Sequence, residues 1–247
     1  MTLRALAQAF TASFITLFLA TTSPSITQSA GEGSNTDRPR IVAFGDSLTA
    51  GLGVGAEETY PAQLQRRLDS RGLQYRVINA GVSGDTTAGG LRRVDWVLKS
   101  RPDIVILELG ANDGLRGLKL QETKANLEKI IQRCRDASAV VVLAGMKLPP
   151  NYGTEYTKSF ESIYPALAKQ FRLPLIPFFL EGVAGSTSLN QPDGIHPTSE
   201  GYRIIADLVM ETVTPLLVRK ERRIGTGDHR PGSFNSAEPG ESSKTEG

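Results

Sequence analysis

Two histidines occur in the 247 residues, and only one stands where moving a proton would be useful. His229 lies in a polar stretch with nothing apolar nearby to hold it in place. His196 sits in Pro192-Asp193-Gly194-Ile195-His196-Pro197, on one short loop with a carboxylate. Gly194 lets the backbone fold back there, so Asp193 can accept the Nδ1 hydrogen of His196 and leave Nε2 facing a hydroxyl. Such a pair suits a serine, whose hydroxyl is a weak nucleophile until a base of pKa about 6.5 takes its proton. The candidate is Ser47, in Arg40-Ile-Val-Ala-Phe-Gly-Asp-Ser-Leu-Thr-Ala-Gly51. Ile41 to Phe44 is a continuous apolar run, typical of a parallel strand covered on both faces, and Gly45 breaks it. Ser47 is thereby expected at the carboxyl edge of a sheet, where open α/β folds bind ligands. The plainer alternative is that Asp46 with Ser47, and Asp193 with His196, merely cap the helices that follow.

Acyl transfer also needs donors for the oxygen that becomes negative. Asn79-Ala-Gly-Val-Ser-Gly-Asp-Thr86 offers the backbone N–H of Gly84, with no side chain in the way. Leu109-Gly-Ala-Asn-Asp-Gly114 offers the amide of Asn112. With the N–H of Ser47 these would make three donors, each worth on the order of 3 kcal/mol of barrier. Taken singly, each stretch also reads as an ordinary turn. Asp46 and Asp113 read as structural, hydrogen-bonding loop backbone.

The elements that must position these groups follow from hydrophobic period. Apolar strands are expected at Ile41 to Phe44, Tyr75 to Asn79, Ile104 to Leu109, Val140 to Ala144 and Leu175 to Phe178. Helix-length segments separate them, the clearest running from Leu120 through Leu127, Ile130, Ile131 and Cys134, and a last one spans about Glu200 to Val218. This alternation specifies an α/β fold, a five-stranded parallel sheet between layers of helices. Cys134 falls on the apolar side of its helix and reads as a small buried hydrophobe. As the single cysteine it excludes an intramolecular disulfide and any cysteine-based zinc site.

Composition narrows the classes further. A hydrophobic fraction of 39% and a charged fraction of 22% suit a soluble globular protein, a net charge of +2 does not argue for nucleic acid, and none is expected as a partner. Arg4, the short apolar segment Ala5 to Ala20 and the small residues after it read as a secretory signal over residues 1–30, too short for a stable membrane span. A periplasmic or secreted location is the consequence. Residues 31–38 read as a flexible lead-in, 39–218 as the folded domain and 219–247 as a disordered polar tail. No GxxxxGK[ST] loop is present to cradle a phosphate.

Gly45-Asp46-Ser47-Leu48, Gly84 in Ser-Gly-Asp-Thr, Asn112 in Gly-Ala-Asn-Asp and Asp193-x-x-His196 together resemble the four blocks of the SGNH, or GDSL, hydrolase superfamily, in order and across nearly the whole folded region. Glu108 to Gly117, Leu148 to Gly153 and Ile163 to Ala168 are similar to its bacterial periplasmic thioesterase, lysophospholipase and arylesterase branch. The resemblance implies a flavodoxin-like strand order 2-1-3-4-5, no cofactor and no metal. It implies hydrolysis of small-molecule esters and thioesters carrying fatty-acyl or aryl groups; a monomer is the expected state. It makes Ser47 the nucleophile, His196 the base and then acid, Asp193 its orienter, and Ser47, Gly84 and Asn112 the oxyanion donors. Leu115, Leu118, Leu148, Tyr152 and Ile195 become candidate acyl-pocket walls, and Gly114 and Gly117 candidate hinges of a loop that moves on acyl binding. Val183 to Asn190 departs from the bulkier residues of that branch, which leaves chain-length preference open. Two rivals remain: a carbohydrate acetylesterase of the same fold, and a non-catalytic flavodoxin-like protein holding a nucleotide or flavin.

Overall fold

A computed structural model describes residues 38–225, with side chains to Leu217. The expected signal, residues 31–37 of the lead-in and residues 226–247 of the tail lie outside the described residues.

Five strands run parallel in one sheet: β1 (Arg40–Gly45), β2 (Arg76–Gly81), β3 (Ile104–Glu108), β4 (Val140–Ala144) and β5 (Leu175–Ile176). Their order is β2-β1-β3-β4-β5, as the family resemblance implies. Seven helices connect and cover them among the described residues: α1 (Ser47–Ala50), α2 (Tyr60–Ser70), α3 (Thr87–Leu98), α4 (Ala111–Leu115), α5 (Leu120–Asp136), α6 (Thr154–Phe171) and α7 (Ser199–Gly225). Helix α2 packs with α7, while α3 packs with α5, which also meets α6. Each long helix turns one apolar stripe inward: Tyr60, Leu64 and Leu68 on α2, and Leu127, Ile130, Ile131 and Cys134 on α5. Burial pushes the Cys134 thiol up to about 12, so it behaves as an inert core group.

The strands that matter for the site are the two in the middle. Every residue of β3 is buried, as is every residue of β1 after Arg40, since both strands have neighbours at each side and helices on each face. Ile41, Val42, Phe44, Ile104, Val105, Ile106 and Leu107 are each at most 4% exposed. Burying such a side chain contributes about 1.5–3 kcal/mol, so the ends of β1 and β3 are firmly held platforms.

Three boundaries differ from expectation, each for a local reason. Strand β5 stops at Ile176 instead of Phe178 because the pairing slips by one residue there: the N–H of Phe179, not of Phe178, donates to the Gly145 carbonyl at 2.8 Å. Strand β2 starts one residue after Tyr75 and runs on to Gly81, where the backbone lies so close to α1 that an added Cβ would stand 2.2 Å from the Ala50 nitrogen. Helix α7 continues beyond Val218 to Gly225, so the polar segment expected to be disordered from residue 219 begins as helix. Arg, Lys and Glu extend an already nucleated helix at little cost, without an apolar face to demand it.

Candidate active site

Asp46 begins the site by capping α1: its Oδ1 accepts the N–H of Leu48 at 3.0 Å, which fixes the turn on which Ser47 is carried out of β1. Ser47 is 7% exposed, and its Oγ lies 2.8 Å from Nε2 of His196. On the other side of the ring, Nδ1 lies 2.7 Å from Oδ2 of Asp193. Asp193 is itself held, since its Oδ1 accepts the N–H groups of Ile195 and His196, both at 3.0 Å. The backbone can reverse there because Gly194 takes φ +75°. Burial alone would raise the Asp193 carboxyl. The two backbone N–H bonds and the imidazole outweigh it and bring Asp193 down to about 2. An ionised Asp193 accepts from Nδ1–H, which leaves Nε2 to accept the Ser47 hydroxyl proton.

Gly84 and Asn112 lie with Ser47 along one cavity. Among the described residues no acceptor meets the N–H of Ser47 or of Gly84. Asn112 is engaged: Nδ2 donates to Oδ2 of Asp46 and to the carbonyl of Asp85, both at 3.0 Å. An oxyanion would take over the hydrogen now given to the Asp85 carbonyl while Asp46 keeps the other. Asp113 accepts the N–H of Thr87 at 2.8 Å and the hydroxyls of Thr87 and Thr123, the structural part its position implied.

The cavity holds about 640 Å³, within the usual range for a small-molecule site. Leu115, Leu148 and Ile195 line it, whereas Leu118 and Tyr152 do not. Leu118 is 40% exposed on the outside of its loop. Tyr152 faces a shallow depression shared with Leu120 and Tyr156, and its hydroxyl donates to the carbonyl of Leu115 at 3.1 Å. Met146, Phe178 and Leu180 supply the wall instead, together with the small residues Ala184 and Gly185. Gly114 lies buried inside α4, where glycine is needed for close packing: a Cβ there would stand 2.7 Å from Leu148 Cδ2 and 2.8 Å from Phe160 Cε2. Gly117, at φ +65° with open space around it, keeps the freedom expected of a hinge.

Three supporting residues went unnoticed in the sequence. Gln191 ties the His196 loop to the Ser47 turn, its Nε2 donating to the carbonyl of Leu52 at 2.7 Å and of Pro197 at 2.9 Å. Arg93 clamps three segments at once: Nε meets Asp85 at 2.7 Å, Nη1 the Ala80 carbonyl at 2.7 Å and Nη2 the Gly45 carbonyl at 2.8 Å. Its guanidinium also stacks 4.5 Å from the centroid of Phe44. Glu108, wholly buried at the end of β3, faces the Ser47 turn. Among the described residues no group of three His, Cys, Asp or Glu side chains stands together to hold a metal ion.

A parallel α/β sheet that brings a serine, a histidine, a carboxylate and amide donors to one rim above an apolar cavity has the makings of a serine hydrolase. The comparison with known families agrees, for residues 43–204 match the GDSL-like lipase/acylhydrolase family, and the chain belongs to it. It is 44% identical over 178 residues to esterase TesA of Pseudomonas aeruginosa, covering 72% of this chain and 89% of that one. To thioesterase 1/protease 1/lysophospholipase L1 of Escherichia coli it is 42% identical over 178 residues, 72% of this chain and 84% of that one. A crystal structure of TesA superposes with a TM-score of 0.70 at 43% identity, over 72% of this chain and 99% of the other. The protein is a GDSL-type ester hydrolase.

Proposed function

We propose that the protein is an exported hydrolase that cleaves carboxylic esters and thioesters of apolar acyl groups through an acyl-enzyme on Ser47. The observation that carries this reading is the unbroken chain from Ser47 Oγ through His196 to Asp193, at 2.8 and 2.7 Å, at the wall of a cavity lined by Leu115, Leu148, Met146 and Phe178. His196 takes the hydroxyl proton as Oγ attacks the acyl carbon, and the oxygen that turns negative is met by the N–H groups of Ser47 and Gly84 and by Asn112. The imidazolium, steadied by Asp193, then returns that proton to the leaving alcohol or thiol. Water, deprotonated by His196 in its turn, releases the acid.

The apolar wall supports fatty-acyl thioesters, aryl esters and lysophospholipids as the substrate class, in keeping with the names of its relatives. Acetyl groups on carbohydrate would leave most of that wall uncovered. Arg4 and the apolar stretch Ala5 to Ala20 support export. In the test, Ser47→Ala and His196→Ala are assayed on short p-nitrophenyl esters and on acyl thioesters of graded length. Both variants lose turnover while keeping the wild-type far-ultraviolet dichroism. Appreciable hydrolysis by folded Ser47→Ala would sink the acyl-enzyme.

A further inference from the structure

Glu108 closes the central strand beneath the Ser47 turn, and the catalytic steps above do not use it. Its side chain reaches that turn on both flanks of the serine: Oε2 accepts the hydroxyl of Thr49 at 2.8 Å and the N–H of Asp46 at 3.3 Å. It fills the space left by Gly45, its neighbour across the β1–β3 ladder, where an added Cβ would stand 2.4 Å from Oε2. Its other oxygen, Oε1, is buried and meets no partner among the described residues. Asp46, the second buried carboxyl, is the group that holds Asn112 Nδ2 at 3.0 Å. A continuous path thus runs from Glu108 to Asp46 and from Asp46 to the amide expected to receive the oxyanion.

We propose that Glu108 is a positioning residue, which holds the Ser47 turn and, through Asp46, sets the amide plane of Asn112. Two carboxyls in one dry site do not both ionise. Burial pushes Glu108 well above the ordinary carboxylate range, and the charge of Asp46 pushes it further. Burial also lifts Asp46, to about 6, and that lift is opposed by bonds from Leu48 and Asn112 and by the charge of His196. Glu108 is therefore the neutral acid and Asp46 the anion at neutral pH. The other groups that face the pair are Tyr60 on α2, Tyr164 on α6 and Tyr202 on α7. All three phenols are neutral there, since burial raises each of them. Arg93 of α3 reaches the Gly45 carbonyl beside it. A neutral acid at this place is one that an amide can replace.

The proposal rests on Ser47 as nucleophile, and the experiment keeps the two apart by running Ser47→Ala beside Glu108→Gln and Glu108→Ala. Substrate is p-nitrophenyl butyrate, with kcat and KM measured from pH 5 to 9. Glu108→Gln keeps kcat within about threefold and leaves the acid limb in place, because its amide oxygen can accept from Thr49 and from the Asp46 N–H as the carboxyl oxygen does. Glu108→Ala loses kcat by about 10²-fold with little change in KM, the signature of a weakened oxyanion donor. Its acid limb moves from the wild-type position, since the turn that carries the Asp46 carboxyl is no longer held from Glu108. Should Glu108→Ala fail to fold, Glu108→Asp keeps the acid but withdraws it from the turn, and the same loss of kcat is expected. A Gln variant as impaired as the Ala or Asp variant overturns the proposal. So does wild-type kcat with an unshifted limb in Ala or Asp, the result expected of a residue that only fills space. Turnover by Ser47→Ala would instead strike the nucleophile reading and leave the Glu108 comparison standing.

Discussion

Replacing Asp193 by asparagine should damage the enzyme more than replacing it by alanine, which reverses the usual order of conservative and drastic substitutions. The reason lies in which oxygen does what. Oδ1 accepts two backbone N–H groups at 3.0 Å each, while Oδ2 alone faces His196 Nδ1 at 2.7 Å. In Asp193→Asn the amide oxygen is drawn to the two N–H donors, and the NH2 group is left against Nδ1. That hydrogen must be accepted, so Nδ1 becomes the acceptor and Nε2 carries the proton, 2.8 Å from a hydroxyl it now cannot deprotonate. Wrong-tautomer variants lose on the order of 10⁴-fold in kcat, about 5.5 kcal/mol of barrier. Alanine leaves the ring free to choose, costing orientation and the steadying of the imidazolium but not the base itself. The stability effect is small by comparison. Asp193 sits near 2 when folded against a reference of 3.8, so its contribution is full above about pH 4 and is lost as pH falls through 2. That shift alone corresponds to about 2 kcal/mol, and with the side chain 45% exposed the screened value at neutral pH is nearer 1 kcal/mol. Steady-state hydrolysis of p-nitrophenyl butyrate at pH 8, with urea unfolding of each variant, separates the two effects. An asparagine variant more active than the alanine variant would refute the tautomer argument.

Two other perturbations test the frame around this machinery. Ala184→Leu adds bulk at a small residue of the cavity wall, and the ratio of octanoyl to acetyl ester hydrolysis should fall by about tenfold or more, the discrimination one or two methylenes can give. An unchanged ratio would place the acyl path elsewhere. Gly45→Ala would set a methyl 2.0 Å from Thr49 Oγ1 and 2.6 Å from the Glu108 carbonyl oxygen, which the β1–β3 ladder cannot move aside. It should lower unfolding stability by about 3 kcal/mol or more, read as a shifted urea midpoint or as loss of soluble protein.

What could be read from the chain alone followed from how sharply each signal is constrained. The runs Ile41 to Phe44 and Ile104 to Leu107 are too apolar to be anything but covered strands, and their ends fixed where Ser47 and Asn112 would emerge. His196 was legible because histidine is scarce, and Asp193 because it shares one short loop with it. Leu118 and Tyr152 were misplaced because an apolar side chain beside a site looks the same whether it faces in or out, and only the backbone path decides. Gln191 and Arg93 act through bonds to main-chain carbonyls, which leave no pattern in side-chain type. Glu108 did leave a trace. A carboxylate set between Leu107 and Leu109 in a strand covered on both faces must be paired or neutral, and that constraint was available before any coordinates.

The groups expected to do chemistry and the groups expected to choose the substrate are anchored differently. Ser47 and Asn112 rise from β1 and β3, stiffened by Arg93 and Glu108, and the His196 loop is tied to the Ser47 turn by Gln191. The Leu115 side of the acyl wall, on the short helix that also carries Asn112, is fastened to the following segment by phenols. Tyr152 donates to the carbonyl of Leu115, and Tyr156 to those of Gly114 and Leu118 at 3.3 and 3.2 Å. Net hydrogen bonds of this kind contribute about 1 kcal/mol each, far less than the buried apolar contacts that fix the strand ends. Substitutions on the phenol side therefore alter which acyl chain fits without displacing the serine or the imidazole. Substitutions at the ends of β1 and β3 should change the chemistry before they change substrate choice.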